Sequence, residues 1–351
     1  MIAPLLPLSW LYASVLVLRN MLFDRGVLKS ERAGVPVVSV GNMTVGGTGK
    51  TPLVEYIVRH LLSVGKRVGV VSRGYKRMSR GVVVVSDGRR VFVGAAEGGD
   101  EPVQIATKFR EAIVVVGEKR IEAARRAVTL GAEVIVADDA FQHRQLHREC
   151  DIVVVDASRD IGSDAVLPAG RLREPLSGLR RADVVALSHV DTAAAVPEAV
   201  SDAIRRYYAK ATVTFRYGVR EARRAKDDGR VSLDVVRRMK LFAFSGIGKH
   251  EAFVVQLQNS GFATAGAMRF ADHHPFTERD KEMLGIYAKA LAADGFITTE
   301  KDVARLRSVP ALLQQLDAEL PVFYLVIDVE ILGGKEILHH CIEQTFRGVH
   351  Q

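Results

Sequence analysis

From Val35 onward, short β-branched apolar runs alternate with longer amphipathic stretches. The runs VPVVSV, RVGVVS, GVVVVS, AIVVVG, EVIVAD, DIVVVD and DVVALS are continuously apolar rather than alternating. That is the pattern of strands buried on both faces of a sheet. Residues 52–64 and 119–130 lie between such runs and are long enough for crossover helices. The succession predicts an α/β fold with a doubly wound, mainly parallel sheet. A second, smaller α/β unit is expected after VTFRYGV, with strands at KLFAFSGI, ATAGAMRF and GFITTE and helices near 249–260, 277–293 and 301–316. PVFYLVIDVEI alternates, and is expected to pair with VTFRYGV as a two-stranded connector that returns a final helix, 335–346, to the first domain.

The N-terminus breaks this rhythm. Residues 1–18 carry no charged side chain, Trp10 and Tyr12 lie inside the apolar run, and Arg19 follows it. A basic leader and a small-residue cleavage site, the marks of a signal peptide, are both missing. Pro4 and Pro7 leave residues 7–22 as the helix, shorter than the roughly 20 residues of a span. A helix lying in the membrane interface fits this pattern, with aromatic and arginine anchors; the competing reading is an apolar helix packed on the protein's own core. The expected organisation is thus a membrane-associating helix over 1–30, a phosphate-loop domain over 31–218, a smaller α/β domain with its connector over 219–332, and a returning helix over 333–351.

Length and composition sharpen this only in places. A chain of 351 residues exceeds one ordinary core, which agrees with two domains. The excess of 49 basic over 41 acidic residues gives a formal charge of +8, which suits an anionic partner. Basic clusters at 73–80, 171–181 and 220–240 lack aromatic interleaving, and no base-reading motif is present, so nucleic acid is not an expected partner. The only cysteines are Cys150 and Cys341. Two cysteines make neither a disulfide framework nor a cysteine zinc site, and a reduced, cytosolic setting is expected.

The stretch GNMTVGGTGKT, residues 41–51, sits between a predicted strand and a predicted helix. Glycines there let backbone N–H groups turn toward phosphate oxygens, and the helix N-terminus adds partial positive charge. Thr44, Val45, Gly46, Gly47, Thr48, Gly49, Lys50 and Thr51 are therefore the expected nucleotide-binding residues, with Lys50 reaching the β- and γ-phosphates and the Thr51 hydroxyl binding Mg²⁺. Thr44 stands where the usual pattern has its first glycine. The loop resembles that of the partitioning and cell-division ATPases, except that Val45 replaces the lysine that reaches a dimer partner. Nucleotide-dependent dimerisation is thus not expected, and the chain is read as a monomer.

Other polar positions cluster at loop boundaries. Asp138 and Asp139 end the run EVIVAD, where carboxylates hold Mg²⁺ opposite a phosphate loop, or else cap a turn. Asp100, in EGGDEP, suits either a helix N-cap or a general base. Asp272, His273 and His274 share a short polar loop in which an imidazole can tune a carboxylate. Arg173 and Glu174 lie in LPAGRLREP, a loop able to place positive charge on a phosphoryl group. Arg73 and Tyr75, in SRGYKR, follow the second strand at the edge where such folds bind substrates.

VSVGNMTVGGTGKTP, SRGYKR, GGDEP, DDAFQHR, LPAGRLREP, FADHHPF and TTEKDVARL occur in this order over almost the whole chain. Together they resemble the tetraacyldisaccharide 4'-kinase family, the lipid A 4'-kinases of Gram-negative bacteria. The resemblance implies ATP- and Mg²⁺-dependent phosphorylation of the 4'-hydroxyl of a tetraacylated disaccharide 1-phosphate. It also implies a peripheral enzyme on the cytoplasmic face of the inner membrane, attached through residues 1–22. It assigns Asp100 as catalytic base with His273 as its partner, and Asp138 and Asp139 as metal carboxylates. By the same likeness Arg173 and Glu174 lie near the nucleotide, while Arg73 and Tyr75 lie on the lipid side. The alternative carried alongside is a membrane-associated, partitioning-type regulatory ATPase.

Overall fold

The computed structural model describes residues 3–46, 49–190, 196–248 and 250–347. The chain forms two compact units, residues 1–217 with 329–351, and residues 218–328. The first opens with α1 (Leu6–Asp24), then β1 (Val37–Asn42), α2 (Lys50–Ser63), β2 (Val68–Ser72), β3 (Val83–Asp87), α3 (Ala95–Gly98) and α4 (Asp100–Lys108). It continues through β4 (Ile113–Val116), α5 (Arg120–Thr129), β5 (Val134–Asp138), β6 (Cys150–Asp156), β7 (Val184–Ser188), α6 (Glu198–Arg205) and β8 (Val213–Arg224). The strand order is β8-β7-β6-β1-β5-β2-β4-β3. Every pairing from β8 to β4 is parallel, and only the edge strand β3 is antiparallel.

This is the parallel α/β sheet expected from the continuous apolar runs, and burial explains them. All six residues of β1 are buried, as are all seven of β6 and all five of β5. A strand covered on both faces has no solvent side to make polar. Helix α2 closes one face with Leu53, Val54, Ile57, Val58 and Leu61, none of which is exposed. Each such side chain contributes on the order of 1.5–3 kcal/mol of transfer free energy, so the helix that follows the phosphate loop is firmly seated.

The second unit contains β9 (Arg230–Val231), α7 (Leu233–Arg237), β10 (Lys240–Ser245), α8 (His250–Asn259), β11 (Ala263–Arg269), α9 (Glu278–Ala290) and β12 (Gly295–Thr299). The helices α10 (Glu300–Arg307) and α11 (Pro310–Glu319) follow, then β13 (Val322–Gly333), whose end re-enters the first unit, where α12 (Lys335–Arg347) lies. The strands of the second unit run β11-β10-β12-β13, parallel throughout, and β13 lies beside β8. A phenylalanine cluster of Phe242, Phe244, Phe270, Phe276 and Phe296 fills this core.

Three expectations are corrected. The single helix over 301–316 is two, because Pro310 cannot continue α10 and instead opens α11 at its first turn. Helix α1 has 19 residues rather than 16, since it begins at Leu6, ahead of Pro7, and runs on to Asp24. At 1.5 Å per residue it is about 28 Å long, so it is long and apolar enough to cross a membrane. Finally, Cys150 and Cys341 are joined in a disulfide, with Cα atoms 6.0 Å apart. Helix α12 packs against β1, β6 and β7, which carries Cys341 to the first residue of β6 across a separation of 191 residues. The cysteines therefore lend no support to a reducing setting.

Candidate active site

The phosphate loop follows β1 at the carboxyl edge of the sheet. Gly49 adopts φ +77°, and a Cβ there would lie 1.7 Å from the Tyr217 hydroxyl, so only glycine fits. Tyr217 in turn donates to the Gly49 carbonyl at 3.0 Å. Beyond it, the His189 ring meets the Tyr217 ring edge-on, and His189 Nδ1 lies 3.1 Å from Asp156 at the end of β6. Gly47 and Thr48 lie outside the described residues. On its other side the loop pairs with the LPAGRLREP segment: Val45 N donates to Arg171 O at 2.8 Å, and Arg173 N donates to Met43 O at 2.7 Å.

That pairing delivers Arg173 to the acidic end of β5. Arg173 Nη1 lies 2.9 Å from both Asp139 oxygens, and Lys50 Nζ lies 3.2 Å from Oδ1 of the same carboxylate. Lys50 also donates to Asn42 Oδ1 at 3.1 Å. Burial works to raise the Asp139 carboxyl, but Lys50 and Arg173 outweigh it and hold it below the ordinary range. Asp138 fares differently. Burial, with the Asp139 charge added, pushes it up to about 6 against the pull of Lys50. Its side chain accepts one hydroxyl hydrogen bond, from Ser72 at 3.4 Å.

Asp100 opens α4, and two contacts place that turn. Glu55 of α2, only 2% exposed, accepts from Gln104 at 2.9 Å and from Lys108 at 2.6 Å, tying α4 to the helix of the phosphate loop. The GGDEP turn also packs on the SRGYKR loop backbone to backbone. A Cβ on Gly99 would lie 3.0 Å from Gly74 Cα, and one on Gly74 would lie 2.9 Å from Gly98 O. Arg73 and Tyr75 therefore stand beside Asp100, both exposed, Tyr75 by 62%.

Glu174 is not at the surface of the site. It is fully buried, and its carboxylate accepts from Arg181 at 2.9 Å, Gln142 at 2.9 Å and Asn20 at 3.2 Å. His273 belongs to the second unit, with φ +63° and its N–H on Gly246 O at 3.0 Å. Its neighbour His274 is held by Asp280 at 2.9 Å and stacks on Phe270, while His273 Nε2 lies 3.8 Å from Asp272 Oδ2.

Sequence reasoning missed three groups. Asn42 and Gln142 lie within the phosphate-loop and DDAFQHR motifs, and their amides satisfy the loop, Asn42 donating to Thr44 O at 2.6 Å and Gln142 to Asn42 O at 2.9 Å. Arg120, 5% exposed after β4, lies close enough to Asp138 and Asp139 for their charges to oppose the burial that lowers its guanidinium. Its signal was a basic residue just past a strand's carboxyl end.

Comparison with known proteins decides the family. The family model described as "Tetraacyldisaccharide-1-P 4'-kinase" matches residues 1–347. The chain belongs to the tetraacyldisaccharide-1-P 4'-kinase family. It is 41% identical over 338 residues to the tetraacyldisaccharide 4'-kinase of Chlorobaculum parvum, covering 95% of this chain and 91% of that one. The enzyme of the same name from Anaeromyxobacter sp. strain K is 40% identical over 354 residues, covering 99% and 92%. Among solved structures, LpxK from Aquifex aeolicus in complex with ATP aligns with a TM-score of 0.79 and 33% identity, covering 98% of this chain and 99% of that one. A partitioning-type regulatory ATPase finds no support in a family match of this extent.

Proposed function

We propose that this protein is an ATP-dependent kinase that phosphorylates the 4'-hydroxyl of tetraacyldisaccharide 1-phosphate, forming lipid IVA in lipid A biosynthesis. Membership of the 4'-kinase family over residues 1–347 supports the reading. The observation that carries it is the Lys50–Asp139–Arg173 cluster beside Asp138 at the mouth of the phosphate loop. Lys50 and Arg173 supply two fixed positive charges where negative charge gathers on a transferring phosphoryl group.

The residues fit Mg²⁺. Thr51, Asp138 and Asp139 offer only oxygen donors, and Mg²⁺ is commonly held by one or two carboxylates plus substrate phosphates. Asp138 is the informative group: a carboxyl raised to about 6 by burial has a charge that a cation would stabilise. When bound, Mg²⁺ neutralises charge on the phosphates.

In this reading Asp100 takes the proton of the 4'-hydroxyl, the oxygen bonds to the γ-phosphorus, and ADP leaves with the bridging oxygen's electron pair. Arg73 and Tyr75 face the lipid, and His273 keeps the role of partner to the base that the family likeness assigns it. Glu174 serves the nucleotide site by holding Gln142 rather than by touching the nucleotide, which its burial supports. Peripheral attachment to the cytoplasmic face of the inner membrane is proposed through residues 1–22, because α1 exposes Leu8, Trp10, Leu11, Val15 and Leu18. A monomer is proposed because Val45 stands where a partner-reaching lysine would be.

Transfer of ³²P from γ-labelled ATP to the disaccharide 1-phosphate in detergent micelles tests the reading. Labelled lipid of the 4'-phosphorylated mass is the expected product. Unlabelled lipid, beside an active lipid A kinase control, would overturn it.

A further inference from the structure

The helix that exposes apolar side chains ends in polar residues bonded to the phosphate site. Asn20 Nδ2 donates to Glu174 Oε2 at 3.2 Å. The other oxygen of that buried carboxylate accepts from Gln142 Nε2 at 2.9 Å. The same amide nitrogen donates to Asn42 O at 2.9 Å, and Asn42 Oδ1 accepts from Lys50 Nζ at 3.1 Å. Around this line, Arg19 donates to Gln142 O at 3.1 Å, Arg144 donates to Asn20 O at 2.9 Å, and Arg144 pairs with Asp24 at 2.6 Å. The result is an unbroken path, Asn20–Glu174–Gln142–Asn42–Lys50, within the first unit.

Each link is costly to break in place. Glu174 is fully buried, so a lost donor leaves part of a charge unsolvated. Gln142 has one amide serving both Glu174 and the β1 carbonyl, so its orientation depends on the carboxylate. Glu174 also follows Arg173 in the chain, and Arg173 carries the second charge on Asp139.

We propose that Asn20 and Glu174 are positioning residues: the C-terminal turn of α1 sets the geometry of Lys50 and Arg173, so the membrane-facing helix is part of the phosphate site and not only an anchor. This rests on the kinase reading. It predicts that the two functions of α1 separate by position along the helix. Leu11, 65% exposed, belongs to the anchor, and Asn20 belongs to the site.

The test uses the full-length protein with Asn20→Ala, Asn20→Gln and Leu11→Ser. Affinity for a Mg²⁺-bound non-hydrolysable ATP analogue is measured without acceptor, and kcat and KM for lipid are measured in micelles. Melting temperature and sedimentation with phosphatidylethanolamine–phosphatidylglycerol vesicles are recorded for each. Asn20→Ala should lower kcat about tenfold or weaken the analogue about fivefold, the scale of one lost hydrogen bond in a buried network. Its lipid KM and vesicle binding should stay near wild type, its melting temperature should fall only modestly and stay well above the assay temperature, and Asn20→Gln, which keeps an amide donor, should recover part of the loss in kcat or affinity. Leu11→Ser should instead raise lipid KM and weaken sedimentation, with kcat unchanged at saturating lipid. Wild-type kcat and analogue affinity in Asn20→Ala, or losses that only follow a lower melting temperature, would overturn the proposal. Failure of the wild type to phosphorylate lipid would overturn the kinase reading instead, and analogue affinity alone would then decide the positioning role.

Discussion

Adjacent aspartates at the end of β5 meet opposite environments: Asp139 is flanked by Lys50 and Arg173, while Asp138 has burial and a like charge. One is held ionised and the other is raised toward neutrality, a division typical of sites that handle charge. At this scale the proposed base is testable on its own. Asp100→Ala should lower kcat by about 10²–10⁴-fold with little change in melting temperature; a kcat near wild type would remove Asp100 from that role. His143 offers a pH prediction. Burial, and then the charges of Arg120, Arg148, Arg19 and Arg73, lower its imidazole from 6.5 to about 4. Between those values the unfolded chain binds a proton that the folded protein does not. Stability from the neutral imidazole is therefore full above pH 6.5 and is lost as pH falls toward 4. His143→Gln should reduce the fall in melting temperature between pH 7 and 5, whereas parallel profiles would assign the acid sensitivity to another group.

Elements carry the next level. Lys50 and Asp138 were readable as candidates because each sits at a punctuated boundary of an apolar run, and Arg173 because it lies in a loop bounded by Pro and Gly. Their meeting was not readable: Arg173 reaches Asp139 only because the loop at 171–173 pairs with residues 43–45. Glu174 shows the limit from the other side. Its motif pointed to the nucleotide, but burial of its carboxylate against Arg181, Gln142 and Asn20 makes it an internal support. Helix α1 supports a prediction of its own. Deleting residues 1–22 should release the protein from membranes into the supernatant after ultracentrifugation, and a truncated protein that still pellets would place the anchor elsewhere.

Across the whole molecule, α12 ties the end of the chain to the central sheet, packing on β1, β6 and β7, with Cys341 bonded to Cys150. A cross-link over 191 residues restricts the unfolded chain, and such bonds commonly contribute about 2–4 kcal/mol. Reduction, or Cys341→Ser, should lower the melting temperature accordingly, with the bond itself read by non-reducing peptide mapping. Equal melting with and without dithiothreitol would show that the bond adds nothing to stability.

What the sequence determined by itself was whatever depends on local pattern. Buried parallel strands need unbroken apolar runs, and a phosphate loop needs glycines between a strand and a helix. An apolar helix also declares itself by composition, although its exposure does not. Tertiary structure decided what depends on distance across the fold: the cysteine pairing, the opposite environments of Asp138 and Asp139, and the path from Asn20 to Lys50. Spacing along a chain carries no information about which loop a folded sheet places beside another. Those pairings arise when strands far apart in sequence become neighbours, as β1 does between β5 and β6.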